Sequence, residues 1–328
     1  MSLGDVAGVF SRYFVVGFFL PSFFTLVGLS QTLTDRFLPT VYLKAGSGAR
    51  IAIIGGAALL VGLVLLGLSY PIMRLFEGYP LRRHWYTKPL ARVLTYGQKR
   101  RLRKAIAATV DPRATAVEQR NAVWRLQRTF AGDDIGDDPH PLPTRLGNAI
   151  RAFERCSRIR WGLNSIAVWP RIEMLLSADE QQLLSDAKGD VALFVNASLL
   201  TALAGLVLIA NEVANEPLAF PAALAYLAPF FLSAMAYWGS VVAAIGWGEE
   251  VCASIDLHRL ELYEKVGLRS PRDFTDERAN IAPALNAAML RGVPLPDDLA
   301  AKHDVPPAPA SGILPLLRHL LATLRSAL

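Results

Sequence analysis

The chain has 328 residues, 52% of them apolar and 19% charged, with a mean hydropathy of +0.31 and a formal net charge of +6. That balance excludes collagen-like, disordered, disulfide-stapled and purely soluble classes. The fold class it predicts is all-α: an integral membrane protein with four transmembrane helices and a helical cytoplasmic insert between spans 2 and 3.

Residues 13–34 carry no charge over 22 positions, and residues 51–73 none over 23. Both exceed the roughly 20 residues that cross about 30 Å of hydrocarbon. The first run is too long for a signal-peptide core and lacks a small-x-small cleavage site, so it reads as an uncleaved anchor. Pro21, with Gly17 and Thr25 one turn to either side, predicts a kink in it. Two further uncharged runs follow, 191–211 and 217–248, the second helical over 221–246. Helices are the reading that satisfies every backbone group in lipid.

The resulting plan assigns residues 1–73 to spans 1 and 2, 74–190 to a basic helical insert, 191–248 to spans 3 and 4, 249–303 to a helical tail, and 304–328 to a Pro-rich tether with an amphipathic end. Residues 74–190 hold 21 of the 34 Lys and Arg against 13 acids, a net +8 in a chain of +6. Arg74, Arg82, Arg83, Lys88 and Arg92 stand directly after span 2, where basic charge orients most strongly. The positive-inside rule therefore predicts a plasma (inner) membrane protein with the insert and both termini cytoplasmic. The 211–221 hairpin, with Glu212 and Glu216 and no base, fits an external loop; Arg36, Lys44 and Arg50 against Asp35 in the first loop fit less well.

Within the insert, residues 112–130 place Val117, Val123, Trp124, Leu126 and Phe130 nearer a helical period than strict alternation. Asp133–Pro143 is a turn-rich break, and Thr144 can cap a helix through Leu146, Ile150 and Phe153. Ser177 and Glu180 have capping-box spacing, so a helix from Ala178 is expected to run unbroken into span 3. Glu249–Val266 extends span 4 in the same way. Residues 313–328 form a basic amphipathic stretch suited to anionic lipid or to packing on the insert. Small residues recur every fourth position (Ala236, Ser240, Ala244 and Gly248; Ala197, Thr201 and Gly205; Ala58 and Gly62), as close helix contacts require, within a chain or between copies.

No Lys, Arg, Asp or Glu lies well inside a span, which argues against proton pumps, voltage sensors and most ion-coupled carriers. Asn196, Asn211, Glu212, Asn215 and Glu216 gather toward the far end of span 3, and Asn211, Glu212, Asn215 and Glu216 are candidate outer-mouth groups; a solvated loop is the plainer reading. Lys99, Arg100, Arg101, Arg103 and Lys104, together with Arg145, Arg151, Arg155 and Arg171, are candidate contacts for anionic lipid headgroups or an acidic partner. Lacking interleaved aromatics, they fit nucleic acid less well. Asp133, Asp134, Asp137 and Asp138 match no calcium loop. The two cysteines, Cys156 and Cys252, both fall on the reducing side, so neither a structural disulfide nor a zinc site is expected. There is no P-loop, G-x-S-x-G or dinucleotide fingerprint. No cofactor, metal or catalytic residue is expected.

Two stretches carry a resemblance. Pro143-Thr144-Arg145-Leu146-Gly147-Asn148, then Trp161-Gly162-Leu163-Asn164 and Trp169-Pro170-Arg171, resemble segments that precede the last pair of spans in a group of uncharacterised bacterial membrane proteins. Asp256-Leu257-His258-Arg259 with Leu262-Tyr263 is similar to that group's stretch after its last span, although Leu260, Glu261 and Asn164 depart from it. The resemblance covers about residues 140–270 and implies no activity.

Physically, Arg145, Arg151, Arg155, Arg158, Arg160 and Arg171 beside Trp161 and Trp169 suit docking onto lipid, onto an acidic partner, or onto the acidic helix bearing Glu249, Glu250, Asp256, Glu261 and Glu264. Asn148 and Asn164 then read as caps. The functional expectation is a homo-oligomeric channel-like protein or membrane effector controlled by its cytoplasmic module. The alternative is a non-conducting anchor or scaffold recruiting a cytoplasmic partner, and a lipid-modifying enzyme is a third class.

Overall fold

The computed structural model describes residues 11–33, 38–130, 141–215 and 227–301. Over these the chain is helical, apart from one isolated bridge between Leu268 and Ala300. Four helices are long and apolar enough to cross a membrane: α1 (Arg12–Thr32), α3 (Ser47–Gly67), α11 (Ala178–Asn215) and α12 (Ala228–Lys265). The Asp133–Asp138 acids, Glu216, the 304–328 tether and the C-terminal amphipathic stretch lie outside the described residues.

Between spans 1 and 2 sits a short helix, α2 (Thr40–Lys44). After span 2 come α4 (Ser69–Glu77), α5 (Tyr79–Arg83), α6 (Lys88–Thr109) and α7 (Ala116–Thr129). Thr115 and Glu118 close a capping box on α7, satisfying two of the free N–H groups at its start. Then follow α8 (Arg145–Glu154), α9 (Cys156–Trp161) and α10 (Ser165–Glu173). Thr144 caps α8 by accepting from the Gly147 N–H, and Asn164 caps α10 by accepting from the Ala167 N–H. The tail adds α13 (Ala282–Arg291), entered through a π turn, Glu277–Ile281.

Spans 3 and 4 are single helices of 38 residues each. At 1.5 Å per residue each is about 57 Å long, far more than hydrocarbon requires, so both project beyond the membrane on the module side. Ser177 and Glu180 form the expected box at the start of α11, with the Ser177 N–H to Glu180 bond at 2.8 Å.

Small residues let the spans touch within one chain. Ala58, Ser240 and Ala244 are fully buried. A methyl at Gly248 would lie 2.5 Å from Phe153, and one at Gly239 2.6 Å from Phe194. The π turn at Val15–Phe19 precedes Pro21, where the missing N–H frees a carbonyl one turn back. Gly17 lies against Ala192 of span 3.

Three apolar clusters stack along the molecule. Phe14, Phe18, Leu65 and Ala192 join spans 1, 2 and 3. Leu146 and Ile150 of α8 pack onto Val191, Val195, Val241 and Ala244 of spans 3 and 4. Leu163, Val168 and Ile172 meet Ile255, Leu262, Tyr263, Ile281 and Leu285, so the tail wraps the projecting end of span 4. The module is thus built around the two projecting helices.

One expectation is overturned. Cys156 and Cys252 are joined by a disulfide, their Cα atoms 6.2 Å apart. The pairing arises because α9 lies along the projecting part of α12, a proximity that a sequence separation of 96 hides from spacing alone.

Candidate functional site at the junction of module and spans

Where α4, α8 and α10 meet spans 1, 3 and 4, the helices leave a cavity of about 380 Å³. Its walls are mostly apolar and aromatic, with Tyr13, Phe18, Ile150, Phe153, Trp169 and Trp247 prominent. The polar groups that line it include Glu77, Glu154, Lys188 and Asn196, with Ser69 and Ser165. A smaller void of about 160 Å³ shares Tyr13, Trp169, Lys188 and Trp247 with it. Concave apolar space with a handful of converging polar groups is the usual form of a ligand site.

The two carboxylates are held differently. Glu77, at the end of α4, is almost fully buried and pairs with Arg74 at 3.0 Å. Burial nevertheless raises its pKa, with Arg74 opposing. Burial likewise raises Glu154 to about 6, and the charge of Glu77 pushes the same way; Arg74, Arg151 and Arg155 only partly offset this. Glu154 therefore titrates at about 6 in the wall of an apolar chamber.

A clasp of charged groups closes the module on α12. Arg160 pairs with Asp256, and the Trp161 indole N–H donates to the same carboxylate at 2.5 Å. His258 meets Glu180 of α11 at 3.0 Å. Arg259 reaches Glu277 at 2.9 Å and lies 3.6 Å over the Trp161 ring. The fully buried Tyr263 donates its hydroxyl to Glu277 at 2.8 Å. The residues quoted after span 4 for the resemblance thus serve as clasps. Those before span 3 do the same: Asn286 donates to the Gly162 carbonyl and accepts from the Asn164 N–H.

Asn148 is a staple, not a helix-end cap: it bonds Leu142 through both N–H and C=O and also donates to the Thr144 carbonyl. Gly147 is required by close approach, because a Cβ there would run into the Glu77 carbonyl.

The candidate basic residues scatter. Lys99, Arg100, Arg101, Arg103 and Lys104 lie on α6, with Arg100, Arg103 and Lys104 exposed. Arg145 meets the acidic helix in its apolar half, well before the acids, and stacks over Trp238 of α12 at 3.7 Å. Arg171 is exposed and bonds its own helix at the Ala167 carbonyl. Arg151 and Arg155 lie half-buried on and just after α8. Of the arginine cluster, Arg160 makes the predicted contact with the acidic helix.

Of the candidate outer-mouth groups, Asn211 is buried and Glu212 half-buried. The Asn215 side chain and Glu216 lie outside the described residues. Asn196 does not join them: it is buried lower in span 3, where its amide donates to the Gly17 carbonyl at 2.7 Å. Glu77, Glu154, Trp247 and Tyr237 escaped the sequence reading. Glu77 left one trace, a lone acid in the basic stretch after span 2.

Comparison of the chain with protein-family models, with curated proteins and with solved structures finds no match.

Proposed function

We propose that this chain is a membrane effector, assembled as a homo-oligomer, whose helical module governs the arrangement of its spans. The observation that carries this reading is the continuity of α11 and α12, each a single 38-residue helix passing from the module into the apolar spans. A tilt imposed on the projecting half of such a helix reaches the membrane half without a joint to absorb it. The Glu180–His258 and Arg160–Asp256 contacts are the levers that would impose it, and the cavity between module and spans is the place where a ligand would act. The charge asymmetry supports an inner-membrane location with module and termini cytoplasmic. The Cys156–Cys252 bond then forms under oxidation, since cytoplasmic thiols are otherwise kept reduced.

Reconstitution in liposomes tests the reading. A folded, correctly inserted preparation should pass ions or dye, and Asp256→Asn, which loosens the clasp, should change the flux several-fold. Inertness of both proteins would refute it.

A second reading, a non-conducting scaffold, is favoured by the arm formed by α6 and α7. There, and in the turn that leads into α6, Trp85, Val93, Tyr96 and Trp124 stand more than half exposed, more apolar surface than a solvated arm needs. One dominant heterologous partner in crosslinking pull-downs, with no flux, would select it.

A further inference from the structure

At the start of α8 the Tyr237 hydroxyl accepts from the backbone N–H groups of Arg145 at 3.0 Å and Leu146 at 3.4 Å. Two free donors of the helix start are thereby satisfied, and the phenol's own O–H remains to donate elsewhere. Arg145 lays its guanidinium on Trp238, and its Nη1 is buried without any hydrogen-bond partner. A buried, charged donor with no acceptor is costly. Arg101 of α6 is close enough for the charge of Arg145, after burial, to lower its pKa. Among the described residues neither guanidinium has a carboxylate within ion-pair distance.

Arg145, Gln98, Thr144 and Tyr237 line one open cavity of about 420 Å³ with the apolar Leu75, Phe76 and Leu94, and Arg101 stands beside it, donating to the Gln98 side-chain oxygen at 3.2 Å. Trp238, beneath Arg145, is 51% exposed on the outer surface of span 4, where lipid lies. An anion at this point would supply the missing acceptor and relieve the repulsion. A guanidinium fork matches phosphate geometry, and aromatic and apolar walls suit acyl chains.

We propose that this cavity binds the phosphate of an anionic phospholipid, held by Arg145 and Arg101 with the Tyr237 hydroxyl as third donor. The inference rests on the membrane location of the spans and not on the effector reading, so an inert liposome assay would leave it standing.

The test uses the full chain in detergent, with native mass spectrometry and thermal shift against phosphatidylglycerol, phosphatidylcholine and inorganic phosphate. One phosphatidylglycerol should be retained per chain, at least about tenfold more tightly than phosphatidylcholine, and inorganic phosphate at equal concentration should neither displace it nor stabilise the protein. Arg101→Gln and Arg145→Gln should each weaken retention about tenfold, and Arg145→Lys less. Equal retention of both lipids, undiminished binding by the double variant, or displacement by inorganic phosphate or an acidic peptide would each overturn the proposal. Should Arg145→Gln fail to fold, Arg101→Gln decides alone: unchanged affinity there overturns it.

Discussion

The Asn196 side-chain amide donates a 2.7 Å hydrogen bond to the Gly17 carbonyl, joining the third span to the first. Gly17 lies four residues before Pro21, the position whose absent N–H leaves that carbonyl free. The π turn before Pro21 and the buried polar residue therefore explain each other. Asn196→Leu should cost about 1–2 kcal/mol, the range for interhelical polar contacts in membranes. Pro21→Ala restores a donor on the same helix, so the double variant should be more stable than the sum of the single effects predicts. Equilibrium unfolding in detergent measures the cycle; strict additivity would show that the two residues act independently.

Glu154 makes stability depend on pH. Unfolded, it titrates near its ordinary 4.5, and folded, near 6. Between those values the unfolded state binds fewer protons, so stability is fullest below about 4.5 and falls as pH rises through 6, by about 2 kcal/mol at most. Burial of Glu77 adds a change of the same sign. Glu154→Gln should flatten the stability profile between pH 4.5 and 7 and raise the melting temperature at pH 7.5. An unaltered slope would mean that Glu154 is solvated in the folded protein.

The Cys156–Cys252 bond closes a long loop across the module. Removing it as the Cys156→Ser, Cys252→Ser pair should cost about 2–4 kcal/mol, and a reductant should lower the wild-type melting temperature to that of the pair. Melting curves that coincide in every condition would show that the two thiols are not bonded in the purified protein.

Gly147→Ala should be among the most damaging single changes, because the added methyl meets the backbone carbonyl of Glu77, which no rotamer change can move. A loss of at least about 2–3 kcal/mol is expected. Gly56→Ala in span 2, with nothing within 4 Å of its Cβ, is the control and should be neutral or slightly stabilising. Similar melting of the two variants would contradict the close seating of α8 on α4.

Features encoded within a few residues were legible in the sequence. The spans follow from uncharged runs, and the caps at Thr144 and Ser177 from side chains three residues from their partners. The long helices α11 and α12 follow because no breaker interrupts either helical pattern as it enters or leaves the apolar run. What spacing could not disclose depends on how helices rotate against one another. Asn196 looked like part of a polar outer cluster because its neighbours along the chain are similar, yet its partner is 179 positions away. Glu77 and Glu154 acquire their character from burial in a chamber built by six helices. Arg145 stands among candidates for anionic headgroups, an acidic partner or the acidic helix, and spacing could not disclose that the PTRL turn sets it over Trp238 of that helix.

The arrangement of the chain across the bilayer is tested most directly by impermeant thiol labelling of Arg120→Cys, Arg291→Cys and Gly48→Cys, each in a background lacking the native cysteines, in sealed vesicles of known orientation. All three positions are exposed. Residues 120 and 291 should react from one face, the cytoplasmic one, and residue 48 from the other. Labelling of 120 and 291 from opposite faces would contradict a four-span chain with a single module gathered on the projecting ends of α11 and α12.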